Sequence, residues 1–134
     1  MRHCGDSAPD ELLQAIKEFN DQEWFECHET LEELWSGEEG EVRHFYQGVI
    51  QVAAALHHWR NNNFGGAVSL LRGGAQLLSR VSGTCQGVDV CGLIAASDWL
   101  RDALEELGKE RMKELDPDLF PHLRISSEDG NETS

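Results

Sequence analysis

The sequence predicts an all-α fold: a compact bundle of about five helices joined by short connections. Apolar residues recur at helical spacing through most of the chain, and the alternating apolar pattern that marks strands is absent. The three prolines, Pro9, Pro117 and Pro121, lie near the ends and interrupt no helix between them. Because the connections are short, we expect neighbouring helices to pack antiparallel.

The first two helices are predicted from Pro9 to Phe19 and from Asp21 to Ser36. In the first helix, apolar residues recur every three or four positions from Leu12 onward. At the start of the second helix, Asn20 followed three residues later by Glu23 resembles a capping box. Glycines follow the second helix and end it.

Three further helices complete the predicted bundle. Helix three runs from Glu41 to Asn61, and its nearly uncharged middle marks it as the central helix. Helix four runs from Phe64 to Val81, and its glycines let a neighbouring helix approach closely. A loop from Ser82 to Asp89 leads to helix five, from Val90 to Leu107. We expect Trp99 of helix five to lie in the core.

The length and the charge of the chain limit its organisation and its partners. Its 134 residues fit one helical domain over residues 1–125, followed by an acidic tail at 126–134 that we predict to be disordered. With 11 basic and 25 acidic residues the net charge is −14, which disfavours nucleic acid and anionic membrane surfaces as partners. No segment reaches the roughly 20 apolar residues of a membrane span.

The four cysteines, Cys4, Cys27, Cys85 and Cys91, form no zinc-binding pattern. No apolar run follows the N-terminus, so no secretory signal is visible. These observations predict a cytoplasmic protein with free thiols. A disulfide between Cys85 and Cys91 is the alternative.

Helix two carries an unusual face for a core-packing helix. At 100° per residue, aromatic side chains occupy both ends of this face, and a histidine and a glutamate lie between them. A carboxylate among aromatic rings is costly unless it is paired, hydrogen-bonded or bound to a cation. The face consists of Trp24, Phe25, His28, Leu31, Glu32 and Trp35.

Helix three has one apolar face and, opposite it, a stripe of His, Gln and Ala where a solvated face carries Lys, Glu or Arg. We therefore expect the stripe to meet protein, and helix two is its natural partner because it is adjacent in sequence. The stripe consists of His44, Gln47, Gln51, Ala54 and His58, and His57 lies at its edge.

Together these two faces predict a site of imidazole and carboxylate groups. As a metal site it would use His28, Glu32 and His58 as ligands of Zn²⁺, Fe²⁺ or Mn²⁺, with Glu29 as the catalytic base. As a structural feature, the same residues form a buried hydrogen-bond network or a contact between subunits. The residues expected to contact substrate or support the ligands are Gln47, Gln51 and Trp35.

The same stretches resemble a known family, the domain-of-unknown-function 309 family. Residues Trp24–Trp35 resemble its opening motif, Phe45–His58 its central helix and Asn63–Leu71 its third block, and the resemblance covers about residues 10–82. It implies a compact all-α bundle, and members have been labelled metal-dependent hydrolases without a defined substrate. The motif positions map to His28, Glu29, Glu32, Gln47, Gln51 and His58.

Three functional hypotheses follow from these observations. The first is a metal-dependent hydrolase with the residues named above. The second is a helical interaction module, homodimer included, in which exposed tryptophans such as Trp24, Trp59 or Trp99 form the contact surface. The third is a binding protein for a small polar ligand, without a cofactor, which requires a pocket of a few hundred Å³ between helices two and three that the same residues line. The residues alone leave all three open and do not identify a substrate.

Overall fold

The computed structural model describes residues 2–125 and confirms the predicted fold class. Within this range the chain forms five α-helices, a short antiparallel ribbon of two strands and two 3₁₀ turns. The α-helices are α1 (Asp10–Asn20), α2 (Trp24–Ser36), α3 (Gly40–Arg60), α4 (Phe64–Leu78) and α5 (Val90–Arg111), the strands are β1 (Thr84–Cys85) and β2 (Val88–Asp89), and the 3₁₀ turns span Met112–Glu114 and Pro117–Leu119.

The central position predicted for α3 is confirmed. This helix packs against α2 on one side and α4 on the other, while α1 packs on α2 and α5 packs on α4. Its side chains Phe45, Val49, Val52 and Leu56 are almost fully buried. Burial of each such side chain stabilises the fold by about 1.5–3 kcal/mol, so this face of α3 holds the bundle together.

Glycines bring α3 and α4 into close contact, as their positions predict. A Cβ atom on Gly48 would lie 2.6 Å from Cγ of Leu78, and one on Gly74 would lie 3.0 Å from the backbone oxygen of Gly48. Neither separation is tolerated by a side chain without movement of its neighbours. The two helices therefore approach at a distance that only glycine allows.

The predicted capping box at the start of α2 is wrong. The helix begins at Trp24, and Glu23 at its N-cap position makes no side-chain hydrogen bond to the first turn. Asn20 instead binds the C-terminal segment. Its Nδ2 donates to the backbone oxygen of Leu123 at 3.0 Å, and its Oδ1 accepts from the Leu123 N–H at 2.8 Å. This pairing satisfies both ends of the amide and ties residues far apart in sequence.

The expectation of four free thiols is also wrong. Cys4 forms a disulfide with Cys85, which excludes the alternative pairing of Cys85 with Cys91. The free cysteines are Cys27, which is buried, and Cys91, which is exposed. The Gln86 N–H also donates to the backbone oxygen of Cys4 at 2.6 Å. The N-terminal segment is thereby fastened to the ribbon in the stretch that we predicted to be a loop.

The expectation that Trp99 lies in the core is wrong, because its side chain is 70% exposed. No helix among the described residues is long and apolar enough to cross a membrane. The disorder predicted for residues 126–134 concerns a part of the chain that lies outside the described residues.

Candidate functional site

A cavity of about 150 Å³ lies between α2 and α3. It brings together His28 and His58, two of the histidines that the sequence singles out. A third histidine, from the edge of the predicted stripe on α3, joins them. The six lining residues are Trp24, Phe25 and His28 from α2 and Ala54, His57 and His58 from α3.

Aromatic packing holds the α2 wall of the cavity in place. Trp24 is almost fully buried, with Phe120 edge-on to its ring at 5.4 Å and the Arg60 guanidinium over the ring at 4.3 Å. Phe25 is half exposed and lies 5.5 Å from the imidazole of His57, centroid to centroid. Such pairs fix ring positions beyond the effect of burial alone, so this wall is pre-formed.

Asn63 determines which nitrogen of His58 carries a proton. The Oδ1 of Asn63 accepts from the Gly66 N–H at 2.9 Å and so caps the start of α4. This orients Nδ2 of Asn63 toward Nδ1 of His58, at 3.1 Å. Because an amide nitrogen only donates, Nδ1 of His58 accepts, and in a neutral imidazole Nε2 then carries the proton. His58 is thus held as a hydrogen-bond donor at Nε2.

His57 has the opposite arrangement. Its Nε2, rather than its Nδ1, contacts an amide, at 3.1 Å from Nδ2 of Asn61. Nδ1 is buried and has no hydrogen-bond partner among residues 2–125. Nε1 of Trp24, another wall residue, is likewise buried without a partner in that range. Because neither nitrogen has surface that solvent reaches, a molecule in the cavity does not contact either of them.

His28 has a looser environment. Its Nε2 lies 3.7 Å from Oε2 of Glu32, one helical turn along α2, and the two side chains are 29% and 55% exposed. An exposed pair at this separation contributes at most about 1 kcal/mol to stability. The imidazole of His28 therefore keeps freedom to turn toward the cavity or toward solvent.

The other predicted site residues do not line the cavity. Glu29 is exposed on α2, and Gln47 of α3 is partly buried outside the cavity walls. Gln51 packs against α4, where its Oε1 occupies the space that a Cβ on Gly73 would need. Trp35 lies beneath the guanidinium of Arg43, 4.1 Å from the ring centroid. Of the stripe that we expected to meet α2, Ala54 and His58 line the cavity together with α2, whereas Gln51 contacts α4.

In this arrangement the side chains around the cavity do not form a complete set of metal ligands. Across residues 2–125, no three His, Cys, Asp or Glu side chains form a group that could hold a metal. The orientation of Asn63 adds a second obstacle, because Nδ1 of His58 accepts a hydrogen bond and Nε2 carries the proton. A metal-ligating imidazole needs the reverse, with its other nitrogen donating to an acceptor.

Comparison with known proteins places this cavity within a family segment. The model of the family described as "Domain of unknown function (DUF309)" matches residues 12–70. This segment of the chain is therefore similar to the DUF309 family. "Uncharacterized protein YpuF" from Bacillus subtilis (strain 168) is 36% identical over 72 residues, which are 52% of this chain and 41% of that protein. This chain thus spans well under two thirds of that relative.

The DUF309 segment contains every residue that lines the cavity, and it also contains Asn63. The disulfide partner Cys85, the ribbon and α5 lie beyond it. Asn63 was not among the predicted site residues, because three consecutive asparagines after α3 indicate only a helix break. The available signal for its capping role was an asparagine directly before Phe64, the first residue of α4.

Proposed function

We propose that the α2–α3 cavity binds a small planar ligand that carries a hydrogen-bond acceptor. The observation that carries this proposal is the orientation of His58, a residue of the cavity wall. Asn63 donates to its Nδ1, so in the neutral ring Nε2 carries the proton and is a hydrogen-bond donor. A hydrogen bond from this N–H to an acceptor on a ligand contributes about 0.5–1.5 kcal/mol to binding.

The size and the walls of the cavity define the ligand further. Its volume of about 150 Å³ is smaller than the few hundred Å³ that we expected for a ligand site. A cavity of roughly this volume holds a molecule the size of benzene. Trp24 and Phe25 offer ring surfaces, and Ala54 leaves space between the helices. The ligand is therefore a single planar ring, or a group of that size on a larger molecule.

A metal-dependent hydrolase is the second candidate. It is favoured by the position of His28 and His58 on one cavity, with Glu32 at 3.7 Å from His28. To ligate Zn²⁺, Fe²⁺ or Mn²⁺ through Nε2, His58 requires the Asn63 amide to turn over and release the cap of α4. The expected base, Glu29, is exposed and does not line the cavity. These residues therefore fit a metal less well than they fit an acceptor ligand.

Titration with pyridine and with benzene tests the first proposal. The two rings have the same size, and only pyridine carries an acceptor. We expect pyridine to bind about fivefold more tightly than benzene, which is the effect of one net hydrogen bond. Binding is followed by NMR at the side-chain signals of Trp24, His57 and His58. An Ala54→Leu variant, which fills the cavity, should bind neither ring.

Two variants test whether the Nε2–H donor of His58 causes the preference for pyridine. His58→Phe keeps a ring in place but removes the donor, and it should reduce the preference for pyridine. His44→Phe changes a histidine on the same helix outside the cavity and should keep the full preference. Equal affinity of the parent for both rings would contradict the proposal. Stoichiometric metal in protein purified without chelators, lost in His28→Ala/His58→Ala while the helical content is kept, would favour the hydrolase.

A further inference from the structure

Trp99 differs from the other three tryptophans of this chain in the environment of its indole ring. Trp99 is 70% exposed, and no basic side chain stacks over its ring among residues 2–125. A cation over an indole ring is attracted by the negative face of the ring. Each of the other three has such a cation: Arg60 lies over Trp24 at 4.3 Å, Arg43 over Trp35 at 4.1 Å and Lys113 over Trp59 at 4.8 Å.

The surroundings of Trp99 favour a positive charge. Beside the indole lies a concavity of about 350 Å³ on the outer face of α5. Within the described residues Asp98 and Glu106 form no ion pair, and Asp102 forms one with Arg101, at 3.6 Å. Two small side chains leave the indole face accessible. The concavity is lined by Ala95, Asp98, Trp99, Asp102, Ala103 and Glu106.

We propose that Trp99, Asp98, Asp102 and Glu106, here called the Trp99 surface, form the docking surface for a basic segment of a partner protein. An arginine of that segment stacks on the indole, and its neighbouring positive charges face the three carboxylates. Arginine fits better than lysine because its planar guanidinium stacks on an aromatic ring and binds a carboxylate through two N–H groups. The partner thus supplies the cation that stacks on Trp99, whereas the chain itself supplies the cations that stack on the other three tryptophans.

Charge favours a basic partner over a second copy of this chain. The net charge is −14, and docking two Trp99 surfaces would bring six carboxylates together. Like charges placed opposite each other at an interface cost several kcal/mol. The surface also lies on α5, beyond the DUF309 match at residues 12–70. It shares no lining residue with the cavity between α2 and α3.

Fluorescence anisotropy with short labelled peptides tests this inference on the full chain. The probe alternates arginine and serine, and matched peptides replace arginine by lysine or glutamate. We expect the arginine peptide to bind, the lysine peptide to bind more weakly and the glutamate peptide not to bind. Trp99→Leu should weaken arginine-peptide binding about fivefold. Asp102→Asn/Glu106→Gln should weaken it and flatten its decrease between about 50 and about 200 mM salt.

A charge-matched variant elsewhere separates docking from general attraction. Glu26→Gln/Glu33→Gln removes the same charge from exposed positions of α2, and it should change the affinity by less than about twofold. Equal weakening by this control and by the α5 variant would overturn the proposal, as would failure of the parent to bind the arginine peptide. Self-association that Trp99→Leu abolishes, with no peptide binding, would assign the surface to a second copy and overturn it too.

Discussion

Asn63 and His58 lie 3.1 Å apart, amide nitrogen to imidazole Nδ1, and this contact joins the α2–α3 cavity to the start of α4. The same amide caps α4 through the Gly66 N–H. The cap prevents the amide from turning over, so the backbone of α4 sets the hydrogen-bonding character of His58. A histidine held in this way is a directed donor, which is what recognition of an acceptor requires.

Asn63→Asp is predicted to turn Nε2 of His58 from a donor into an acceptor while the cap of α4 is kept. Aspartate caps helices as well as asparagine does, so Gly66 keeps its acceptor. The carboxylate accepts from Nδ1 of His58, and in the neutral ring Nε2 then becomes an acceptor. We expect the preference for pyridine over benzene to be lost, a change of about fivefold measured at about pH 8. Asn62→Asp adds the same charge one residue away and should keep the preference.

The disulfide between Cys4 and Cys85 is predicted to stabilise the fold. It closes a loop over a sequence separation of 81 residues, which restricts the unfolded chain. We expect Cys4→Ser/Cys85→Ser, or treatment with dithiothreitol, to lower the free energy of unfolding by roughly 2–4 kcal/mol. Urea unfolding with and without reductant measures this. Cys91→Ser should unfold like the parent. An unfolding curve of the parent that is the same with and without reductant would contradict the prediction.

The two free thiols should react at very different rates. Cys91 is exposed, whereas Cys27 is fully buried, and burial raises the pKa of the Cys27 thiol far above its ordinary value. Because the thiolate is the reactive form, Cys27 should react with a disulfide reagent only on unfolding. In the native protein, the absorbance of the thiol released from the reagent should show that one cysteine per chain reacts rapidly. This rapid reaction should be absent from Cys91→Ser. Rapid labelling of Cys27 would contradict its burial.

Substitution of the contact glycines tests the close packing of α3 and α4. A Cβ on Gly74 meets the backbone oxygen of Gly48 at 3.0 Å and Cγ2 of Val52 at 2.9 Å. We expect Gly74→Ala to lower the free energy of unfolding by about 1–2 kcal/mol, because overpacking outweighs the better helix propensity of alanine. Gly65→Ala, also in α4, meets nothing within 4 Å and should be neutral or stabilising. Similar effects of the two would contradict the close contact.

Much of the fold is predictable because periodicity reports which helix faces are apolar. The positions of His28 and His58 follow from the same geometry, since each lies on the face of its helix that meets the other. Trp99 shows the limit of this reasoning. It adjoins the buried Leu100, yet successive residues of a helix point about 100° apart, so a core neighbour does not imply a core position.

Other features depend on contacts that the sequence does not encode locally. The pairing of Cys4 with Cys85 joins distant segments, and no spacing rule selects it over Cys85 with Cys91. Likewise, the glutamine stripe was assigned to α2, but Gln51 fills a space above Gly73 of α4. A helix surrounded by neighbours offers several protein-facing sides, and composition does not tell which neighbour each side meets.

The most direct measurement is the tautomer of His58 by ¹⁵N NMR of its imidazole, before and after addition of pyridine. We expect that the neutral ring carries its proton on Nε2 and that the Nε2–H signal moves to lower field as pyridine accepts a hydrogen bond from it. A proton on Nδ1, or an Nε2–H signal that pyridine leaves unchanged, would contradict the proposal that this histidine presents a donor to a ligand in the α2–α3 cavity.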